Sequence, residues 1–382
     1  MPEWERVKLG EIVQEISRPE RVQADKRYRL LGTRWYAGGL FIKDEKLGSA
    51  IQANSLYRIE EGDFVYNRLF AWKGSFAIAT TEQHGCYASN EFPCFAVNSS
   101  RLDPEFLRYY FMRPASWTEA LGLSSGSTPT SRNRLKQEKL LNILVPLPPL
   151  PEQRRIVARV KGLLERVEEA RRLRAEVVAQ LDAYSRSVQA ASSTRSTPVS
   201  ELVRLKSPDV TVAPNETYHF AGVYSFGRGV FVGQKKQGQD FAYPRLTRLQ
   251  AGNFTYPKLM AWEGAFGLVP AECDGLVVST EYPVFEIDSQ KILPEVLESY
   301  FKNPRVWPEI AGESTGTNAR RRRLNPADFL GYQFPLPSKA DQLRIAHVSQ
   351  AARQVRHQQK QTQIELDALP SAILARAFAG AL

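Results

Sequence analysis

Cysteine and histidine are scarce in this chain, and the few that occur form no recognisable site. The 382 residues include three cysteines and four histidines. Cys86, Cys94 and Cys273 make no C-x-x-C pair, which argues against a zinc ribbon or a disulfide framework and predicts reduced, structural thiols. The histidines are scattered without an H-E-x-x-H spacing. We therefore expect no catalytic histidine, no metal site and no cofactor.

Long apolar runs and nucleotide-binding motifs are missing as well. No stretch approaches the roughly 18 consecutive apolar residues of a membrane span. The first five residues have neither the basic nor the apolar region of a signal peptide, so we expect a cytoplasmic protein. No G-x-x-x-x-G-K-[ST] segment occurs that could serve a translocase.

What the chain does contain is a second copy of itself. Residues 62–76 return without a gap as residues 252–266, 190 positions later. The same offset relates 91–95 to 281–285, 104–107 to 294–297, and Trp117 to Trp307. A period of half the chain indicates tandem duplication of one domain, because solenoid repeats run to only about 20–50 residues. The two copies should present two similar surfaces to one partner.

Composition agrees with two packed domains and a polyanionic partner. Hydrophobic residues make up 43% and charged residues 24% of the chain, as in ordinary globular proteins. The formal charge of +10 favours nucleic acid over a merely basic surface.

Each half shows the same order of parts. Residues 7–100 carry short apolar runs separated by Gly, Asn and Pro, which is typical of strands and turns, and a helical patch follows from Pro104 to about Leu121. Next come a polar loop rich in Gly, Ser, Thr and Arg (124–135, repeated as 314–324) and a proline-rich stretch (143–153, repeated as 334–337). This order predicts an α+β fold.

A long helix is predicted after each proline-rich stretch. In the first helix, apolar residues recur every three or four positions, and Arg171, Arg172 and Arg174 are expected on the solvated side. The apolar positions are Ile156, Val160, Leu163, Val167, Ala170, Leu173, Val177, Leu181, Tyr184 and Val188. In the second helix, Pro370 should kink or end the helix near Leu369. Helices this long need a partner along their length, and each is the natural partner of the other.

These parts together resemble the specificity subunit of Type I restriction-modification enzymes, and the resemblance covers essentially the whole chain. The residues that carry it are Gly126-Ser127-Thr128 with Arg132, Arg134 and Leu135, then Val145-Pro146-Leu147-Pro148-Pro149-Leu150-Pro151-Glu152-Gln153 and Ile156. The second copy has Gly316-Thr317, Leu324, Pro335-Leu336-Pro337, Gln342 and Ile345, but Ser338-Lys339-Ala340-Asp341 replaces the fuller proline pattern.

The resemblance implies two target recognition domains, each reading one half of a split DNA sequence. They would be separated by two long helices that pack as an antiparallel coiled coil with pseudo-twofold symmetry. We expect recognition domains at 1–150 and 191–337 and spacer helices at 151–190 and 338–382. The expected partners are double-stranded DNA and two methyltransferase subunits, and the sequence leaves open whether a restriction or translocase subunit also binds.

The candidate DNA-binding residues come mainly from the two polar loops, which supply the side-chain types that contact phosphates and base edges. They are Arg68, Ser127, Thr128, Arg132, Arg134, Lys258, Thr317, Asn318, Arg320, Arg321, Arg322 and Arg323. The competing interpretation treats the loops as solvated surface. It treats Tyr66, Trp72, Phe76 and their copies, which flank Arg68 and Lys258, as conventional core.

No catalytic motif is visible. A DNA adenine methyltransferase would resemble its family through a glycine-rich turn and an Asn/Asp-Pro-Pro-aromatic motif, and Asn325-Pro326-Ala327-Asp328 lacks the second proline and the aromatic residue. We therefore expect a non-catalytic subunit. The alternatives are a standalone nuclease or nucleic-acid-modifying enzyme, which paired acidic residues in a basic cleft would favour, and a protein-binding structural adaptor, which a neutral loop surface would favour.

Overall fold

The computed structural model describes residues 4–126, 133–192, 194–312 and 323–382. The chain forms two compact units, one comprising Met1–Arg172 with Thr362–Leu382 and the other Leu173–Gln361. Each unit contains a sheet-rich part and a segment of both long helices. The predicted fold class, α+β with two duplicated sheet-rich domains and two long helices, is confirmed. The boundaries of the four predicted segments stay a prediction.

The first unit contains eleven described strands, helices α1 to α3 and parts of both long helices. Its strands are β1 (Arg6–Lys8), β2 (Val13–Ile16), β3 (Pro19–Arg21), β4 (Arg27–Thr33), β5 (Leu40–Leu47), β6 (Ser55–Arg58), β7 (Phe64–Tyr66), β8 (Phe76–Ile78), β9 (Tyr87–Ala88), β10 (Cys94–Val97) and β11 (Leu144–Pro146). Its helices are α1 (Pro104–Phe111), α2 (Pro114–Leu123), α3 (Gln137–Leu141), the first part of α4 (Leu150–Ala191) and the last part of α8 (Lys339–Phe378). The strands form three sheets in the orders β1-β11, β2-β10-β7-β8 and β3-β6-β9-β4-β5.

The second unit repeats this topology strand for strand. Its strands are β12 (Thr194–Pro198), β13 (Val203–Leu205), β14 (Val210–Thr211), β15 (Thr217–Tyr224), β16 (Gly229–Gln237), β17 (Arg245–Arg248), β18 (Phe254–Thr255), β19 (Gly267–Leu268), β20 (Val277–Ser279), β21 (Val284–Ile287) and β22 (Gln333–Pro337). Its helices are the last part of α4, α5 (Pro294–Phe301), α6 (Trp307–Gly312), α7 (Pro326–Gly331) and the first part of α8. The sheet orders are β12-β22, β13-β21-β18-β19 and β14-β17-β20-β15-β16. The shared strand order is what a duplication predicts.

Stacked aromatic rings fill the core of the first unit. The Phe76 ring lies 4.4 Å from the Phe111 ring and 5.9 Å from the Tyr66 ring, between their centroids. Tyr66 is fully buried and Phe76 is 2% exposed, while Trp72 is half-buried. Tyr256 and Phe266 are buried in the same way in the second unit. The prediction of core is confirmed for Tyr66, Phe76 and their copies, but not for Trp72, which is outside the core clusters.

The predicted helical patch from Pro104 to Leu121 is two helices. The first, α1, ends at Phe111, and α2 begins at Pro114. Proline has no N–H to donate and restricts the residue before it, so Arg113 adopts an extended backbone and the helix restarts with Pro114 in its first turn.

A buried glutamine attaches each long helix to its own unit. Gln153 is fully buried near the start of α4, where its Oε1 accepts a hydrogen bond from the Asp103 N–H at 2.8 Å. Its Nε2 donates to the carbonyls of Arg101 and Pro148, each at 2.8 Å. These bonds satisfy the side-chain amide in a dry environment and fix how α4 leaves the sheets.

Gln342, near the start of α8, repeats this device. It is 2% exposed and accepts from the Leu293 N–H at 3.0 Å, and it donates to the carbonyls of Lys291 and Pro337 at 3.2 and 3.1 Å. The glutamine of the proline-rich motif is therefore a structural residue in both copies.

The apolar stripe of α4 shifts by one position in the second unit. Ile156, Val160 and Val167 are buried as predicted, but Leu173, Val177 and Tyr184 are 47%, 42% and 58% exposed. The inward positions there are Arg174, Val178, Leu181, Ser185 and Val188. The predicted stripe repeats about every 3.5 residues, whereas an α-helix has about 3.6 residues per turn, so the stripe gradually leaves the inner face. Five helical turns after Ile156, the inner face is at residue 174 and not at Leu173.

The sequence predicted Arg174 on the solvated side of α4, and this was wrong: Arg174 lies on the inner face. Its guanidinium Nη2 donates to the carbonyl of Gln359, and the Gln359 Nε2 donates back to the Arg174 carbonyl at 3.0 Å. The Arg356 guanidinium donates to Asp182 in the same unit. The pairing order shows that the α4 and α8 segments of this unit run antiparallel. In the first unit Arg171 contacts Asp367 at 3.3 Å and Arg155 contacts the Leu382 carbonyl at 3.1 Å, again antiparallel.

Helix α8 does not end near Leu369. It continues through Pro370 to Phe378. Beyond the proline, Leu374 and Ala377 are buried in the first unit's core, and the Phe378 ring lies 4.9 Å from the Phe106 ring. This apolar burial offsets the hydrogen bond that Pro370 cannot make.

Gly264→Ala should destabilise the second unit by about 2–4 kcal/mol, combining left-handed strain with overpacking. Gly264 has φ +73°, and an added Cβ would lie 2.1 Å from Cε2 of Trp307. The matched control is Gly275→Ala, where φ is +74° and an added Cβ meets nothing within 4 Å. Urea unfolding should therefore show a clearly larger loss for Gly264→Ala than for Gly275→Ala. Equal losses would contradict the packing of Trp307 on this glycine.

Candidate nucleic-acid interface

The predicted DNA-binding residues divide into two groups. Arg68, Arg134, Lys258 and Arg323 lie in the described part of the chain. The other eight lie outside the described residues: Ser127, Thr128, Arg132, Thr317, Asn318, Arg320, Arg321 and Arg322.

The first polar loop closes on itself at its base. Ser125 and Arg134 pair across it, with Ser125 N–H to Arg134 O at 3.1 Å and Arg134 N–H to Ser125 O at 2.9 Å. The next residue, Leu135, is fully buried and donates its N–H to the Arg68 carbonyl at 3.0 Å. The sequence predicted contacts from both Arg68 and Arg134, and the fold places them on adjacent backbone.

One glutamate holds both of these arginines. The Arg134 Nη2 donates to Oε1 of Glu91 at 2.6 Å, and the Arg68 Nε lies 3.7 Å from Oε2 of the same carboxylate. Arg68 also donates through its guanidinium to the Asn90 carbonyl. The Arg134 side chain remains 55% exposed while that of Glu91 is 20% exposed. The carboxylate thus orients two cations at the base of the loop and leaves the Arg134 side chain half in solvent.

The second unit repeats the arginine–glutamate pair and the backbone hydrogen bonds. Arg323 donates its Nη2 to Oε2 of Glu281 at 2.5 Å. The Leu324 N–H donates to the Lys258 carbonyl at 3.0 Å, and the Lys258 N–H donates to the Glu281 carbonyl at 2.9 Å. Lys258 stands where Arg68 stands in the first unit. The second loop is one residue shorter than the first, so Arg323 follows Arg134 by 189 positions and not by 190. Arg134 and Arg323 nevertheless occupy equivalent places beside equivalent glutamates.

Glu91 and Glu281 are site residues that the sequence reasoning did not assign. Both begin a repeated segment, 91–95 and 281–285, so the signal was present: an acidic residue kept at the same place in two copies of a basic domain. Their partners could not be deduced, because Glu91 and Arg134 are 43 residues apart and only the fold brings them together.

A cavity of 300 Å³ opens beside Arg68 in the first unit. Three arginines line it, but each has an acidic partner. Arg18 donates to Asp63 at 2.7 Å, Arg58 donates to Glu60 at 2.8 Å, and Arg68 is paired with Glu91. Because these charges are compensated inside the protein, the cavity is a weak candidate for binding an isolated anion.

The cysteines play no part in this surface. All three are buried and free, as the sequence predicted. Burial raises the pKa of Cys94 to about 12 and also raises the pKa of Cys86 and Cys273, so the thiols stay protonated. Among the described residues no group of three or more His, Cys, Asp or Glu is placed to hold a metal ion.

Comparison with known proteins shows what the first half of the chain is similar to. Residues 1–177 match the Type I restriction modification DNA specificity domain. These residues belong to that family. The resemblance noted in the sequence is confirmed for these residues, and the remaining half repeats the matched half in sheet order.

Solved structures share the fold over the full chain. The HsdS subunit from Thermoanaerobacter tengcongensis is 22% identical, with a TM-score of 0.60, over 100% of this chain and 98% of that one. A chain of a type I R-M system, solved to explain complex assembly and conformational transition, is also 22% identical, with a TM-score of 0.67, over 100% and 99% of the two chains. Among curated protein sequences none matches the chain significantly.

The helices that the structure describes include no candidate for a membrane span. None of them combines the length and the apolar composition that a span of the bilayer requires.

Proposed function

We propose that this protein is the DNA-recognition subunit of a Type I restriction-modification complex. Each unit reads one half of a split double-stranded DNA site through its polar loop and the charged cluster at the loop's base. The two long helices dock methyltransferase subunits, which supply the catalysis. The protein acts without a cofactor of its own, in the cytoplasm, where the cell's DNA is found.

The duplicated cluster of Arg134 with Glu91 and Arg323 with Glu281 carries the proposal. An arginine side chain half in solvent at the base of a loop can reach a phosphate or a guanine edge, and its paired glutamate limits the rotamers it samples. Two such clusters on two units of one topology fit two half-sites better than one continuous site. The formal charge of +10 adds the sequence-independent attraction to the DNA backbone.

Arg134→Ala should weaken binding to the half-site read by the first unit, and Arg323→Ala should weaken binding to the other. A lost base contact costs about 1–3 kcal/mol, roughly 5- to 150-fold in affinity, and relaxes sequence preference at one position. A lost phosphate contact would instead weaken all sequences alike and reduce the salt dependence. Fluorescence anisotropy with the reconstituted complex, on DNA altered in one half-site at a time, separates these cases.

The matched control is Arg204→Ala. The Arg204 side chain on β13 is also paired with a glutamate and is 82% exposed, but that glutamate is Glu286 and not the loop-base residue Glu281. We expect wild-type affinity for this variant. If both cluster variants bind both half-sites as tightly as the control, these loops do not read the DNA.

Exposed apolar side chains on the long helices support docking of a protein partner. Leu173, Val177 and Tyr184 follow one face of α4 in the second unit, and Ile364 of α8 in the first unit is 81% exposed. The sequence had placed the three α4 residues in the seam between the helices. Their exposure instead makes them candidate contacts for a methyltransferase subunit.

The two alternative functions gain less support. A nuclease would need carboxylates grouped to hold metal ions, whereas each described cluster has one glutamate engaged by basic residues. An adaptor without DNA binding would not need an arginine beside each loop. The described residues therefore favour the recognition subunit.

A further inference from the structure

A second feature is duplicated on the surface of the two units and was not predicted from the sequence. The hairpin β4-β5 ends in a tip at Trp35, Tyr36 and Ala37, and the hairpin β15-β16 ends in a tip at Phe226 and Gly227. Tyr36 and Phe226 are separated by the same 190 positions as the rest of the duplication.

Both tips hold a bulky residue in a left-handed backbone conformation. Tyr36 has φ 56° and Ala37 has φ 55°, while Phe226 has φ 62°. Residues with a β-carbon are disfavoured in this region, and such strain persists only where the surroundings enforce it.

Backbone hydrogen bonds to a neighbouring turn enforce the conformation. The N–H groups of Tyr36 and Ala37 donate to the carbonyls of Lys73 and Gly74 at 2.6 and 2.8 Å. In the second unit the N–H groups of Phe226 and Gly227 donate to the carbonyls of Glu263 and Gly264 at 2.8 and 2.9 Å. Two units thus preserve the same strained tip with the same anchors, although the residues differ.

The strain presents an aromatic ring to solvent. Tyr36 is 64% exposed and Phe226 is 62% exposed. Each ring rests on a tryptophan, with centroid distances of 5.6 Å from Tyr36 to Trp117 and 6.1 Å from Phe226 to Trp307. An aromatic residue with only a structural role would be buried. Each of these rings instead contacts a tryptophan and still exposes more than half of its residue surface to solvent.

Cationic side chains lie against other aromatic rings of the two hairpins. The Lys73 ammonium lies 3.5 Å from the Trp35 ring centroid, and the Arg34 guanidinium lies 4.9 Å from that of Phe41. In the second unit the Arg228 guanidinium lies 4.7 Å from the Tyr224 ring centroid, and Tyr224 is 43% exposed. Aromatic rings mixed with lysine and arginine suit a nucleic acid, which offers flat bases, sugars and phosphates together.

The tips are also joined to the charged clusters described above. In the first unit, residues 68–74 carry Arg68 at one end, bonded to Leu135 and Glu91, and Lys73 and Gly74 at the other, bonded to the tip. The corresponding segment of the second unit runs from Lys258 to Gly264 with the same bonds. Loop base and tip are therefore connected through one short chain segment in each unit.

We propose that Tyr36 and Phe226 are DNA-contacting residues, each packing its ring against the sugars and base edges of the half-site that its own unit reads. This inference rests on the proposed function and extends it to a surface separate from the polar loops. Nearby cations such as Lys73 and Arg228 contact phosphates. The tryptophan that packs against each ring holds the ring in its exposed position.

Tyr36→Gly tests the first tip without straining the backbone, because glycine adopts the left-handed conformation readily. We expect roughly tenfold weaker binding, in line with the loss of an aromatic contact to nucleic acid. The loss should appear on the half-site that Arg134→Ala affects. Phe226→Gly should produce the equivalent loss on the other half-site. Anisotropy of the reconstituted complex on DNA altered in one half-site at a time provides the measurement.

Two variants serve as matched controls. Ala37→Gly relieves the same backbone strain but keeps the ring, so it should bind as the wild type does. Tyr36→Phe gives the first tip the residue of the second, so it should also bind normally, because the shared feature is the ring and not the hydroxyl. A tenfold loss in Tyr36→Phe would contradict the role assigned to the ring.

The outcomes separate this inference from the proposed function. If the wild-type complex shows no preference for any sequence, the proposed function itself is wrong. If the wild-type complex is specific and Tyr36→Gly and Phe226→Gly assemble and bind normally, only the role of the tips is wrong. If these variants fail to assemble with methyltransferase subunits in sedimentation velocity, the tips are a protein-docking surface, which also overturns the inference.

Discussion

Replacing Gln153 by leucine should lower the free energy of unfolding of the first unit by about 3–5 kcal/mol. The side-chain amide makes three hydrogen bonds of 2.8 Å in a fully buried position. Leucine fills a similar volume but leaves the Asp103 N–H and the carbonyls of Arg101 and Pro148 without partners. Each unsatisfied buried group costs about 1–3 kcal/mol, so the polar loss outweighs any gain from the added apolar surface.

Glu152→Ala is the control within the same motif. Glu152 accepts from the exposed Arg155 at 2.7 Å, an ion pair in solvent that contributes little to stability. Guanidinium unfolding of the full chain should therefore separate the two variants clearly. A loss below about 1 kcal/mol for Gln153→Leu would show that the amide does not hold α4 to the sheets. Gln342→Leu should reproduce the effect in the second unit.

The duplicated organisation could be predicted from the sequence because it depends on residue identity at a fixed offset. Repeated glycines and aromatics such as Gly74 and Gly264, or Trp117 and Trp307, specify the same local packing wherever they recur. The same reasoning correctly predicted buried Tyr66 and Phe76. Sheet order, in contrast, depends on which strands meet, and no local pattern reports that.

The packing face of the long helix was predicted only in part. A stripe of 3.5-residue period describes α4 in the first unit, where Ile156 and Val160 are buried. Farther along, polar side chains such as Arg174 and Ser185 occupy the inner face, so hydrophobicity no longer marks it. The pattern therefore pointed to Leu173 and Val177, which are exposed.

The charged clusters and the aromatic tips show a different limit. The arginines beside the polar loops were identifiable from their residue type, but their partners Glu91 and Glu281 are distant in sequence. The left-handed backbone of Tyr36 and Phe226 carries no glycine signal, because hydrogen bonds to a separate turn enforce it. Such features depend on tertiary contacts and become visible only in the fold.

If each unit reads one half-site, the long helices that connect the units should set the spacing between the half-sites. Four residues inserted after Leu173 in α4 and four after Gln361 in α8 lengthen both helices by about 6 Å. Both insertions fall where the chain passes from one unit to the other. The two insertions must be equal in length, because α4 and α8 contact each other on both sides of the insertion points. Arg174 pairs with Gln359 in the second unit, and Arg171 pairs with Asp367 in the first. At roughly 34 Å per 10–10.5 base pairs, the change corresponds to one to two base pairs of DNA.

Two controls isolate the effect of length. Leu173→Ala without an insertion should leave the spacer unchanged, because Leu173 is 47% exposed and lies outside the helix seam. An insertion in α4 alone should impair assembly, since it shifts the Arg174 and Asp182 contacts out of register with α8.

Mapping the methylated sites of the reconstituted complex that carries the matched insertions tests the central claim most directly. That claim is that each unit reads one half-site while the helices fix the distance between them. We predict unchanged bases in both half-sites and a non-contacted spacer longer by one to two base pairs. An unchanged spacer with full activity, or altered bases within the half-sites, would contradict it.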